Sequence, residues 1–314
     1  MSNELRPQEL VNAPLGQTSA YPERYDASLL FPIARAQGRQ HLSLQPQPEW
    51  FGEDVWRAFE VSWLNLKGKP EVAILRFTIP ASSPNIIESK SFKLYLNSFN
   101  QWHINQVDLL KIMQRDLSEA AGAPVSIAVE SALTPITPPL HPAQSSDMLG
   151  VAHLPQQEWP LPSCANRQDL ALEAIYLDDL DIACDEYEPN ANLLALQGPR
   201  NPVSETFISE LLKSNCPVTG QPDWATLVIS YTGPAIDQAA LLRYIVSYRH
   251  HSGFHEQCVE QIYCDIWQRC QPEYLDVYAR YTRRGGLDIN PRRRSLSTPI
   301  VNAHVDQAVR TPRQ

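Results

Sequence analysis

The pattern of apolar and polar positions becomes regular at Val55. Phe59, Val61 and Trp63 alternate with Glu60 and Ser62, the two-residue period of a half-buried strand. Lys67-Gly68-Lys69 marks a turn, and Ala73, Leu75, Phe77 and Ile79 alternate beyond it, so the spacing predicts a hairpin. Residues 86–100 read as extended, with Lys90 and Lys93 on opposite faces of a strand. From Asn105 the period lengthens. Leu109, Leu110, Met113 and Leu117 share a helical face between a capping asparagine and Gly122. Val125, Ile127 and Val129 then alternate as a strand.

A second succession follows. Residues 204–214 fit a helix or a strand. Asn215–Asp223 is rich in turn formers, and Ala225, Leu227, Ile229 and Tyr231 alternate as a strand. Leu241, Leu242, Ile245 and Tyr248 share one helical face; Val259, Ile262, Tyr263, Ile266 and Cys270 share another. Leu275–Tyr281 alternates as a closing strand. Hairpin, helix and strand thus occur twice, without obvious residue identity between the halves. The pattern predicts an α+β protein of two units, each an antiparallel sheet with helices packed on one face. The first spans residues 51–134 and the second 186–314. Residues 1–50, rich in proline and glutamine, read as an irregular arm. Residues 135–185, dense in proline up to Pro162, read as the connection.

Composition sharpens this picture. With 314 residues, 43% hydrophobic, the chain has enough to build packed cores. Acids outnumber bases 35 to 26, which argues against non-specific coating of nucleic acid or anionic membranes. The 27 prolines require long ordered connections outside helices and central strands. No apolar run approaches the roughly 20 residues that span a bilayer. Met1–Gln17 has no apolar targeting core. The expectation is a cytoplasmic protein with reduced thiols and no membrane partner. Its six cysteines lack CxxC pairs and metal-like spacing with histidine, so no metal site is expected.

Three segments carry candidate chemistry. Cys216 sits among Pro217, Gly220 and Pro222, a setting that suits either a structural turn cysteine or a reactive thiol. Asp223 is close enough to return to that thiol, and a thiolate beside a carboxylic acid can attack an electrophilic carbon and protonate the departing electron pair. His255 and Glu256 open the last long helix. Glu256 there either complements the helix dipole or accepts paired N–H bonds from a guanine-like ring. Lys90 and Lys93 are either solvated lysines of an edge strand or an anion clamp, to which Arg283-Arg284-Gly285-Gly286 adds guanidinium groups and close backbone approach. No GxGxxG is present, so any dinucleotide is held without a Rossmann turn. The run Arg292-Arg293-Arg294 reads as a solvated tail.

Four motifs, in order, carry a resemblance. They are Glu88-Ser-Lys-Ser-Phe-Lys-Leu-Tyr95 with Asn97-Ser-Phe99, then Asn215-Cys-Pro-Val-Thr-Gly-Gln-Pro-Asp223. Phe254-His-Glu256 and Tyr281-Thr-Arg-Arg-Gly-Gly-Leu-Asp-Ile-Asn290 follow. Together the sequence resembles the NADPH-dependent 7-cyano-7-deazaguanine reductases, the nitrile reductases of queuosine biosynthesis, in their long two-module form. The resemblance implies tandem tunnelling-fold modules and a cytoplasmic homodimer. It implies no direct nucleic-acid binding. Reduction of a nitrile to an amine takes four electrons, hence two hydrides from NADPH. The resemblance makes Cys216 the nucleophile that forms a thioimidate and Asp223 the proton donor to the nitrile nitrogen. His255 assists collapse of the thiohemiaminal. Glu88 and Glu256 bind the deazaguanine ring beside Ile87 and Ser89, with His255 also in the substrate site. Ser89, Lys90, Arg284 and Gly285 match positions that contact NADPH. Two rival functions are a cysteine-dependent nitrile hydrolase, which needs no nicotinamide, and a tRNA-binding module, in which loss of Cys216 is silent.

Overall fold

The computed structural model describes residues 21–40, 42, 50–131, 174–198 and 202–296. The stretch 135–162, most of the expected connection and Cys164 lie outside the described residues.

The first hairpin pairs β2 (Phe51–Leu64) with β3 (Pro70–Pro80). Its turn closes because the Asn65 side-chain oxygen accepts the backbone N–H groups of Lys67 and Lys69, while Gly68 takes φ +80°. A bulge between Ala58 and Val61 shifts the side-chain parity of β2. Trp56 and Ala58 enter the core before it, Val61 and Trp63 after it. Phe59, expected on the inward face, is instead only half-buried, beneath the Arg283 guanidinium at 4.8 Å.

After β4 (Asn85–Ile87), residues Ser89–Asn97 form a helix, α2, and not the expected strand. The Glu88 carboxylate accepts the N–H groups of Lys90 and Ser91 at 2.7 Å each and so starts the helix. Phe92, Tyr95, Leu96 and Phe99 then fall on one helical face and enter the core. α3 (Gln106–Ala121) runs as expected, with Asn105 accepting from Asp108 and Gly122 left-handed at φ 69°. β5 (Ser126–Ser131) adds to β3.

The second unit pairs β7 (Pro202–Asn215) with β8 (Pro222–Pro234). The ambiguous residues 204–214 are strand, and Leu211 sits in a bulge between Ser209 and Leu212. The helices α4 (Gln238–Ser247) and α5 (His255–Cys270) and the strand β9 (Tyr274–Tyr281) follow. Each unit has its own core. One gathers Trp56, Phe77, Phe92 and Met113; the other gathers Phe207, Leu241, Ile262 and Val277.

The basic run is the largest departure from expectation. Residues Leu287–Arg294 are a strand, β10, and β9 does not close the fold. β10 pairs with β2 on one side and β9 on the other, so the two units share one eight-stranded sheet. Its order is β5-β3-β2-β10-β9-β8-β7-β6, antiparallel except where β6 (Ala174–Tyr176) runs parallel to β7. Arg293 is fully buried. It bonds Asp54 of β2 at 2.8 Å and Glu260 of α5 at 2.8 Å, so its charge is neutralised inside the molecule.

The described part of the arm is also regular. A 3-10 turn (Ala27–Leu29), β1 (Pro32–Ala34) and α1 (Arg35–Arg39) precede the sheet, and β1 pairs with β4. From α1, Arg35 pairs with Asp54 and Arg39 with Glu260 at 2.8 Å. This extends the buried ion cluster across both units. Among the described residues, no helix is long and apolar enough to cross a membrane.

Candidate active site

The β7–β8 hairpin ends by pairing Ser214 with Asp223 and Asn215 with Pro222. Beyond them, Cys216 N–H donates to the Gln221 carbonyl at 2.9 Å, and Gly220, at φ 65°, donates back to the Cys216 carbonyl at 3.0 Å. This tight turn returns the chain so that Cys216 and Asp223 line the same cavity. Asn215 anchors the turn from behind. Its N–H donates to the His251 carbonyl and its own carbonyl accepts from Gly253, which ties the hairpin to the approach of α5. Cys216 itself is withdrawn from solvent. It is buried against Ile33, Ile86 and Val218.

α5 presents its first turn to this cavity. His255 stacks flat on Tyr281, with ring centroids 3.6 Å apart and planes within 4°. Its Nε2 lies 3.4 Å from Asp223 Oδ2. Its Nδ1 is buried with no hydrogen-bond partner among the described residues. An unsatisfied buried ring nitrogen is costly, which marks a position built to meet another polar group. Glu256 is also buried in the cavity wall. Burial, reinforced by the nearby Asp54 carboxylate, pushes its carboxyl up to about 8, while Arg35 and Arg293 act in the opposite direction.

The first unit supplies the facing wall. Ile87, Ser89 and Lys93, around the start of α2, line the cavity. Burial and then the neighbouring Arg284 hold the Lys93 ammonium below its ordinary range. Arg284 comes from the turn between β9 and β10. Its Nη1 lies 3.2 Å from Asp223 Oδ1, in charge contact but not aligned for a hydrogen bond. Gly285 follows at φ 59°, so close to Lys93 that an added Cβ would lie 3.3 Å from its Nζ.

A single chain therefore brings together Ile87, Ser89, Cys216, Asp223, His255, Glu256 and Arg284, although they span both halves of the sequence. Three candidates stand apart. Glu88 is fully buried, and both carboxylate oxygens cap α2 rather than line the cavity. Lys90 is half-buried on the first turn of α2, outside the lining. Gly285 lies behind Lys93. Phe254, Thr282, Leu287 and Ile289 lie in the motifs that carry the resemblance but have no role in the sequence reading; they too line the cavity. The alternation of Leu287 and Ile289 was a strand signal, but Pro291 and three arginines masked it.

The site has features that fit a nicotinamide dinucleotide. Lys93 and Arg284 set two cations side by side, and Gly285 leaves the backbone bare beside them. Among the described residues no cluster of three or more His, Cys, Asp or Glu is arranged to hold a metal ion.

Comparisons with known proteins point the same way. The family model described as nitrile reductase, 7-cyano-7-deazaguanine-reductase N-term, matches residues 21–129, and the model of the QueF-like protein matches residues 222–299. The NADPH-dependent 7-cyano-7-deazaguanine reductase of Albidiferax ferrireducens is 52% identical, over 92% of this chain and 95% of its own length. The protein of the same name from Bordetella avium is 52% identical over 90% and 93%, and that of Burkholderia multivorans 48% over 92% and 95%. A solved structure, the archaeosine synthase QueF-Like in the apo form, overlaps 33% of this chain and 100% of that one. It does so at 17% identity and a TM-score of 0.27, too loosely to carry further meaning.

Proposed function

We propose that this chain, which belongs to the NADPH-dependent 7-cyano-7-deazaguanine reductase family, reduces the nitrile of 7-cyano-7-deazaguanine to the primary amine of 7-aminomethyl-7-deazaguanine, a step of queuosine biosynthesis. The observation that carries the mechanism is the meeting of Cys216, Asp223 and His255 in one buried cavity.

A nitrile carbon is a poor hydride acceptor. The Cys216 sulfur adds to it and gives a thioimidate, which accepts hydride more readily. Asp223 supplies the proton that the nitrile nitrogen takes up, having drawn it from the thiol. His255, held flat by Tyr281, orients Asp223 through Nε2 and presents Nδ1 to the reacting group. Glu256 accepts the N–H edge of the deazaguanine ring beside Ile87 and Ser89, the N–H donors of the bound ring favouring the carboxylate form that burial alone disfavours. Glu88 serves the same site from behind, by fixing the start of α2. NADPH supplies hydride when bound, and Ser89, Lys90, Arg284 and Gly285 are the residues we assign to holding it, with Lys93 as an added cation.

We further propose a cytoplasmic homodimer. All five described cysteines are free thiols, as a reducing compartment requires. The function is tested by NADPH oxidation with and without the nitrile base. Two NADPH consumed per nitrile supports it. Nitrile consumed without NADPH beyond one equivalent per chain points to hydrolysis and contradicts it.

A further inference from the structure

Both oxygens of Asp223 are engaged. His255 Nε2 lies 3.4 Å from Oδ2 and Arg284 Nη1 3.2 Å from Oδ1. A carboxylate held on both sides is poorly placed to pass a proton to a third group. The Arg284 contact is one of charge proximity without hydrogen-bond alignment, so no directed bond holds the guanidinium in place. Arg284 also has somewhere to go. Its side chain is 27% exposed, against 4% for Asp223, and it rises from a turn that continues through two glycines at positive φ. Beside it stands Lys93, a second and partly buried cation that its charge repels. An anion placed between Lys93 and Arg284 would relieve that repulsion and compete with Asp223 for the guanidinium.

We propose that Arg284 couples cofactor binding to the covalent step: a phosphate of the nicotinamide dinucleotide, bound between Lys93 and Arg284, draws the guanidinium off Asp223 and frees the carboxylate to move a proton. This rests on the covalent reading of the site given above. In the step concerned, the Cys216 sulfur bonds to the nitrile carbon and one C–N π pair moves to nitrogen. The freed Asp223 carboxylate takes the thiol proton and passes it to that nitrogen. No electrons are gained or lost, so the oxidised cofactor suffices as the trigger.

The test is the rate of adduct formation on the full chain, followed by intact mass after rapid quench, with 7-cyano-7-deazaguanine alone and with NADP⁺. The contact is partly exposed, so its release should be worth about three- to tenfold. NADP⁺ should raise the wild-type rate by that factor. Arg284→Gln should react at the faster rate without NADP⁺ and show no further response, while Arg284→Lys, which keeps the charge, should retain part of the response. A wild-type rate indifferent to NADP⁺, or an Arg284→Gln variant slower than wild type, would overturn the coupling while leaving the thioimidate standing. No adduct in the wild type under either condition would overturn the covalent reading and this proposal with it.

Discussion

The two halves of the sheet follow one plan. β2 and β7 each have 14 residues, and each carries its bulge after the eighth, Ala58 in one and Ser209 in the other. Each hairpin is followed by a shorter helix and then a 16-residue helix, α3 or α5. The difference lies at the ends. In the first unit the hairpin closes on the lysine-flanked turn at Gly68, and α3 starts at exposed Asn105 and Gln106. In the second the hairpin closes on buried Cys216, and α5 starts with His255 and buried Glu256 facing that thiol. The repeat supplies the scaffold, and its termini decide what chemistry it carries. The first unit contributes through α2 instead, whose start reaches the cavity that the second unit opens.

Changes at the two hairpin tips should break the comparison most sharply. Cys216→Ala should abolish nitrile reduction and leave the fold intact, whereas Lys69→Ala at the matching tip should leave activity unchanged and stability within about 0.5 kcal/mol. Comparable turnover in Cys216→Ala would remove the second tip from the chemistry. Asp223→Asn should fold normally by circular dichroism yet form the adduct roughly 10²- to 10⁴-fold more slowly, since an amide cannot carry the proton. A wild-type adduct rate would make Asp223 a turn residue only.

The seam between the units gives the next effect. Arg293→Met leaves Asp54 to Arg35 and Glu260 to Arg35 and Arg39, and should cost up to about 3–5 kcal/mol in urea unfolding. Arg294→Met, which loses a partly exposed contact with Glu53, should cost about 1 kcal/mol or less. Equal costs would contradict the picture of β10 as an internal joint. Among the residues assigned to NADPH, Lys90→Ala and Arg284→Ala should each raise the KM for NADPH more than the KM for the nitrile. The native protein should prefer NADPH to NADH by about ten- to a hundredfold per contact, less at high salt. Equal use of both nicotinamides would refute the cation clamp.

The last effect is a pH dependence at the start of α5. The Glu256 carboxyl titrates at about 8 in the fold, above its unfolded value of 4.5. Between these values the unfolded chain releases a proton that the folded chain keeps, so stability is full below about pH 4.5 and declines as pH rises to about 8. Glu256→Gln should flatten that decline in unfolding curves. Parallel profiles for the two proteins would place the titration elsewhere.

Much of this was legible in the residues. Asn105 and Gly122 bracket α3 as capping chemistry requires, and the turn formers between Cys216 and Asp223 tie those two residues together. Three readings failed for physical reasons. In α2, Phe92, Leu94 and Leu96 alternate like a strand while Phe92, Tyr95, Leu96 and Phe99 repeat like a helix; the Glu88 cap decides between them. Phe59 was misplaced because a bulge reverses parity without a residue signature. β10 was hidden because Pro291 and three arginines look wrong for an interior strand. They are tolerated because Asp54, Glu260 and Asp276 neutralise two of the guanidinium groups inside the fold. Charge pairing across some 240 residues leaves no local trace in sequence.

The central claim is that Cys216 alone becomes covalently bonded to the nitrile. Burial pushes the thiols of Cys258, Cys264 and Cys270 up to about 12, which keeps them protonated and unreactive at neutral pH. Incubating the protein with 7-cyano-7-deazaguanine without NADPH, then measuring intact mass and mapping peptides, tests this directly. The account predicts one adduct, on the peptide containing Cys216, and none on the Cys216→Ala variant. An adduct on Cys258 or Cys264, or no adduct at all, would contradict it.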